Sequence, residues 1–111
     1  MTDRLRLVVK TLEDLKLTDL RIYDFRGFSP YFDFQVVATA SNERQVHASI
    51  NHLREAMPDE RIKRVEGADT SRWLLFDLGD IIVHVMHKDE REYYQFEKLF
   101  VGREISLSED L

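Results

Sequence analysis

The sequence predicts an α/β fold: a single mixed sheet of about five strands with helices packed on it. Three observations predict it. Helical and strand periodicities alternate along the chain. Turn residues separate these segments, with no long linker between them. Finally, two strongly apolar strand segments are joined only by Gly79-Asp80, which marks a tight hairpin. A length of 111 residues fits one domain, read as residues 1–102, with 103–111 as a short polar tail.

The elements follow in order. Leu5, Val8, Leu12 and Leu15 make one apolar stripe, which predicts a helix over about residues 3–16, with Thr2 or Asp3 as its cap. Rough alternation predicts a strand over about residues 20–25. Arg26 to Pro30 reads as a loop. The β-branched and aromatic bias of residues 33–39 predicts a second strand. Ser41 and Asn42 mark a helix start, with Gln45 placed as in a capping box. Val46, Ile50, Leu53 and Met57 are its buried stripe, and Pro58 ends it. Residues 63–66 read as a short strand stopped by Gly67. The unit from residue 33 to 66 suggests a right-handed strand–helix–strand crossover. Residues 72–78 and 81–87 are the clearest strands. Asp89 begins a last helix, with Glu92 in capping-box position and Tyr93, Phe96 and Phe100 along one side.

Composition narrows the function classes. Apolar residues are 43% and charged residues 33%, as in folded soluble domains. There is no cysteine, which excludes disulfides, thiolate metal sites and a cysteine nucleophile. Lys plus Arg is 16 and Asp plus Glu is 21, for a net charge of −5. Nucleic-acid binding leans on phosphate neutralisation by Lys and Arg, so direct nucleic-acid readout is not expected. A basic protein is the better partner. Residues 1–16 are charged throughout, which argues against a signal peptide. No apolar run approaches the length of a membrane span. A cytoplasmic location is the expectation.

The hairpin is the most informative segment. With Gly79 and Asp80 at the turn, Leu78 faces Ile81, Phe76 faces Val83, Leu75 faces His84 and Trp73 faces Met86. One face then reads Leu74, Phe76, Leu78, Ile81, Val83, Val85 and must be core. The other reads Trp73, Leu75, Asp77, Ile82, His84, Met86. Large apolar groups beside a carboxylate and an imidazole suit a protein-binding patch. They also suit a second core layer in which Asp77 and His84 are satisfied by each other or by backbone.

Other chemistry is weakly signalled. Asp77, Asp80, Asp89 and Glu90 could hold a metal, but turns are rich in Asp for conformational reasons. His84 and His87 point to opposite faces of a strand, and His47 and His52 diverge on a helix. Ser41 lies between a strand and a helix, but no glycine accompanies it as a nucleophile elbow or phosphate loop requires. No metal and no cofactor are expected.

From Val65 the sequence becomes specific. The run Val65-Glu66-Gly67-Ala68-Asp69-Thr70-Ser71-Arg72-Trp73 continues through Leu75, Asp77, Gly79-Asp80 and Val83-His84-Val85 to Arg91, Tyr94, Glu97 and Leu99. It resembles the signature of the ribosomal silencing factors, the Iojap-like family. Asp24, the Asp33-Phe34 strand with Ala38-Thr39, and Ser41 to Val46 resemble its first strands and second helix. The family usually has a glycine near the end of that strand, where this chain has Ala38-Thr39-Ala40-Ser41. The resemblance implies a nucleotidyltransferase-like core without transferase activity. It implies binding to ribosomal protein fourteen of the large ribosomal subunit. Steric blocking of small-subunit joining would then repress translation when nutrients are short. Trp73 would be the apolar anchor, surrounded by Leu75, Ile82 and Met86, with His84 on the same face. Asp77, Asp69, Asp80 and Glu66 would meet basic side chains at the rim. Two other readings compete. One is a degenerate nucleotidyltransferase binding a nucleotide through Asp77 and Asp80 with a metal. The other is a homodimer formed through the Trp73 face.

Overall fold

The computed structural model describes residues 2–57, 64–66 and 72–106. Helix α1 (Thr2–Asp14) is followed by antiparallel strands β1 (Thr18–Asp24) and β2 (Phe34–Ala40). Helix α2 (Glu43–Ala56), strands β3 (Arg64–Glu66), β4 (Trp73–Asp77) and β5 (Ile81–His87), helices α3 (Lys88–Tyr93) and α4 (Phe96–Leu99), and strand β6 (Glu104–Ile105) complete the order. The strands form one sheet, β3-β4-β5-β2-β1-β6. Its centre is the parallel pair β2–β5, and every other neighbouring pair is antiparallel.

The expected mixed sheet is therefore present, with three differences. The strand β2 and the short β3 are not neighbours, because the β4–β5 hairpin lies between them. A sixth, two-residue strand lies in the segment read as tail and pairs with the β1 edge through Ile22 and Tyr23. The last helix is broken in two. It starts at Lys88 rather than Asp89, because the His87 imidazole accepts the Asp89 N–H at 3.1 Å and caps it. It stops when Tyr94 turns extended, φ −97° and ψ 101°. Adjacent aromatic residues are mediocre helix formers. The break also lets Phe96 drop onto the sheet, where it is buried.

The hairpin register is the one expected: Trp73 opposite Met86, Leu75 opposite His84, Asp77 opposite Ile82. Gly79 supplies the positive φ of 95° at the first central position of the turn. The carboxylate of Asp77 accepts the Gly79 N–H at 2.9 Å.

Helices α1 and α2 cover one face. Leu5, Val8, Leu12, Val46, Leu53 and Met57 pack there on Phe34, Val36, Ala38, Leu74, Phe76, Ile81, Val83 and Val85. Leu15 only borders this core. Asn42 caps α2, accepting the Gln45 N–H at 2.8 Å. The Gln45 side chain accepts the Ser41 N–H in return and donates to the carbonyl of Leu15 at the end of α1. One glutamine thus closes a cap and ties the two helices together.

Phe76 is fully buried in this layer. Phe76→Ala is expected to lower stability by about 3–5 kcal/mol. Asn42→Ala is expected to cost about 1 kcal/mol through the lost cap. Urea denaturation followed by circular dichroism measures both.

Candidate functional site

The opposite face of the sheet is only half covered. Its cover is α4 with the segments on either side. Phe96 and Phe100 pack on Tyr23, Phe25, Val37 and Met86, with Phe32 and Trp73 at the margin. Thus the mixed face is a second core layer at one end and surface at the other.

Trp73 sits at the border, partly exposed. Its ring lies 4.8 Å from that of Tyr94 and 5.7 Å, edge to face, from that of Phe96 (centroid distances). Its indole N–H donates to His84 Nδ1 at 3.1 Å. An indole can only donate, so Nδ1 carries no proton. The His84 proton is then on Nε2, which donates to Gln35 Oε1 at 2.7 Å. Burial pushes the imidazole down to about 4, and the Arg91 charge pushes the same way. This chain of hydrogen bonds locks the tilt of the indole from below.

An apolar hollow of about 240 Å³ opens beside it, lined by Trp73, Tyr93, Tyr94, Gln95, Phe96 and Leu99. Tyr93 is 78% exposed, Leu99 74% and Tyr94 42%. These side chains form an aromatic ledge. Asp89 and Glu92 lie next to Tyr93 in an adjoining groove.

The sequence-derived residues divide accordingly. Trp73 is at the ledge, and Leu75, Asp77 and Ile82 are partly exposed on the same face. Met86, at 0% exposure, and His84, at 5%, lie under the α4 cover. They support Trp73 and cannot touch a partner directly, because Phe96 folds over them. Asp80 is not a free rim charge: its carboxylate pairs with Arg4 of α1, and its carbonyl accepts the N–H groups of Asp33 and Phe34. Asp77 is engaged with Gly79 at the turn end, away from Trp73. The backbone of Glu66 lies in β3, opposite Leu75. Asp69 lies outside the described residues.

Tyr93 and Tyr94 carry the exposed part of the site, whereas the expected helix set Tyr93 on one side with Phe96, which is buried. The available signal was the pair itself, since adjacent helical residues do not share a buried face. Arg72 holds the ledge in place. It reaches Glu90 at 2.9 Å, Glu43 at 3.4 Å and Asp89 at 3.5 Å, clamping α3 and the start of α2 to the head of β4. Among the described residues no three His, Asp or Glu side chains gather as a metal site. No helix among them is long and apolar enough to cross a membrane.

Residues 1–110 match the family model for the ribosomal silencing factor during starvation. The chain is 40% identical over 98 residues to a ribosomal silencing factor of Halalkalibacterium halodurans, covering 86% of this chain and 84% of that protein. It is 35% identical to the one from Bacillus subtilis, covering 86% and 83%. A more distant relative, 26% identical over 102 residues, is the mouse mitochondrial assembly of ribosomal large subunit protein 1; 87% of this chain and 45% of that protein are covered. A crystal structure from Bacillus halodurans superposes with a TM-score of 0.83 at 36% identity, covering 96% and 99%.

His84 makes a pH prediction. Its folded-state value lies below the ordinary 6.5, so between these values the unfolded chain binds the proton and the folded one does not. Its contribution is therefore complete above about pH 6.5 and is lost as the pH falls toward 4. The loss amounts to about 3 kcal/mol at most. Urea midpoints at pH 7 and pH 5 should separate further in wild type than in His84→Gln. An NMR titration should show His84 still neutral at pH 5.5.

Proposed function

Because the chain belongs to the ribosomal silencing factor family, we propose that it binds the large ribosomal subunit and sterically blocks docking of the small one. Ribosomal protein fourteen of the large subunit is the proposed contact, and repression of translation under nutrient limitation is the outcome. The observation that carries this reading is the aromatic ledge of Trp73, Tyr93, Tyr94 and Leu99, exposed on one end of the sheet. Large aromatic groups at the centre of an interface dominate binding energy. Those at the ledge need no rearrangement to engage, because Arg72 and the Trp73–His84–Gln35 chain already hold them.

Charge supports the same partner. A net charge of −5 disfavours bare rRNA and favours a basic protein. Asp89 and Glu92, next to Tyr93, are placed to meet Lys and Arg at the rim, where charges mainly steer association. Glu66 and Asp69 are proposed for the same role, and Leu75 and Ile82 as the apolar continuation of the patch. The mouse relative, named for assembly of the ribosomal large subunit, favours that subunit. Exclusion of the small subunit needs bulk and position, with no catalytic step.

Co-sedimentation with isolated large subunits, with and without added small subunits, tests this reading. Wild type should pellet with large subunits and lower the yield of joined ribosomes. Tyr94→Ala should weaken binding by about 2 kcal/mol, roughly thirtyfold, with only a small loss of stability from its packing on Trp73. Trp73→Ala should also lose binding, with some loss of stability from its packing on Phe96. Wild type that stays in the supernatant, or ledge variants that bind as wild type does, would overturn the reading. Light scattering over a concentration series shows whether the ledge instead pairs two copies of the chain.

A further inference from the structure

A second cavity, of about 310 Å³, lies beyond Gln95 and is lined by Asp19, Thr39, Lys88, Arg91, Glu92 and Gln95. It opens where β2 and β5, the parallel pair, reach their carboxyl ends, a position where α/β sheets often bind ligands. Arg91 is its deepest cation, only 6% exposed.

The guanidinium of Arg91 is incompletely satisfied. Nη1 donates to Thr39 Oγ1 at 2.8 Å. Nε and Nη2 are buried and find no hydrogen-bond acceptor among the described residues. These two nitrogens form one edge of the guanidinium, the fork that grips an oxyanion with two parallel hydrogen bonds. The nearest carboxylate, Asp19, forms an ion pair with Nη2 at 3.3 Å but outside hydrogen-bond geometry. Asp19 is also held elsewhere: its other oxygen accepts from Arg21 Nε at 3.1 Å. Its backbone lies in the left-handed region, φ 45°, within the irregular stretch where β1 slips against β2. One half-exposed carboxylate is thus shared between two guanidinium groups. A buried charge with an unfilled fork is costly, since an unmade hydrogen bond to a charged group forfeits its full desolvation energy.

We propose that this cavity is a binding site for a small oxyanion, a carboxylate or a phosphate, seated on the Nε–Nη2 edge of Arg91. Lys88 at the mouth supplies a second cation, and Gln95 a neutral donor. Asp19 and Glu92 line the same cavity and limit affinity, so the site takes a compact group whose charge is concentrated at the fork. Bound there, the oxyanion ties α3 to β2. Arg91 shares this helix with Tyr93, and Tyr94 is its cap, so occupancy also steadies the ledge. That last consequence rests on the proposed ribosome contact; anion binding does not, and it is measured on the free protein.

The test is a titration of the full chain with sodium phosphate and, separately, sodium acetate, at fixed ionic strength, with sodium chloride as control. The Arg91 Nε–H resonance and calorimetric heat are followed together. A saturable shift with phosphate or acetate and none with chloride is expected, and the tighter of the two identifies the oxyanion class. Asp19→Asn removes the competing carboxylate and should tighten binding at least threefold. Arg91→Gln should abolish it. Should that variant fail to fold, Lys88→Gln, at an exposed position, should weaken binding severalfold. Shifts that follow ionic strength alike for all three salts would overturn the proposal. So would an Asp19→Asn variant with unchanged affinity, or a Lys88→Gln variant that binds as wild type does.

Discussion

The two-residue turn at Gly79-Asp80 is the constraint on which the rest of the structure depends. Side chains of a strand alternate between faces, so the turn decides which six hairpin residues go beneath the helices. A slip by one residue would send Asp77 and His84 into the main core and Phe76 and Val83 out of it. Three features hold the turn. Gly79 adopts the positive φ, Asp77 accepts its N–H, and Asp80 pairs with Arg4. The Asp80 carbonyl also receives the N–H groups of Asp33 and Phe34. The same few atoms therefore set the hairpin register, start β2 beside β5, and fasten α1 to the sheet.

The second face shows how this fold keeps large apolar groups near its surface without losing order. His84 and Met86 are buried, and Trp73 stands on them. The indole N–H has its acceptor, the imidazole has its own, and Phe96 closes the layer from above. With its inner edge fixed, Trp73 can leave its outer edge exposed beside Tyr94. Side chains held this way lose little conformational entropy on binding. The break between α3 and α4 serves both sides: it turns Phe96 inward and leaves Tyr93 and Tyr94 outward.

Charges on this protein do two kinds of work. Arg4–Asp80 and the cluster of Arg72 with Glu43, Asp89 and Glu90 brace the architecture. The surplus of carboxylates, by contrast, gives the molecule its net negative field, and Glu92 lies next to the ledge. Arg91 stands apart, because its burial is matched by a single half-exposed carboxylate that it shares with Arg21. The exposed pairs of the first kind, such as Arg72 with Glu43 and Asp89, contribute little individually. Their value here is geometric, since each joins elements far apart in the chain.

Much of this was legible in the sequence because it depends on local pattern. The apolar stripes of α1 and α2, the Asn42 cap, the hairpin register and the two-faced character of β4–β5 all follow from spacing. The family signature, from Val65 to Leu99, lay in the chain as well. Other features depend on which segments meet in space. Nothing near Asp80 in sequence announces Arg4, and nothing near Arg91 announces Asp19 or Thr39. The insertion of the hairpin between β2 and β3, and the pairing of Glu104–Ile105 with β1, are likewise matters of strand order. The broken last helix, which exposes Tyr93 and buries Met86, was decided by packing of Phe96 on the sheet. Periodicity sets which face a residue takes within its own element. Only the tertiary structure decides whether another element covers that face, because burial and ion pairing are relations between distant parts of the chain.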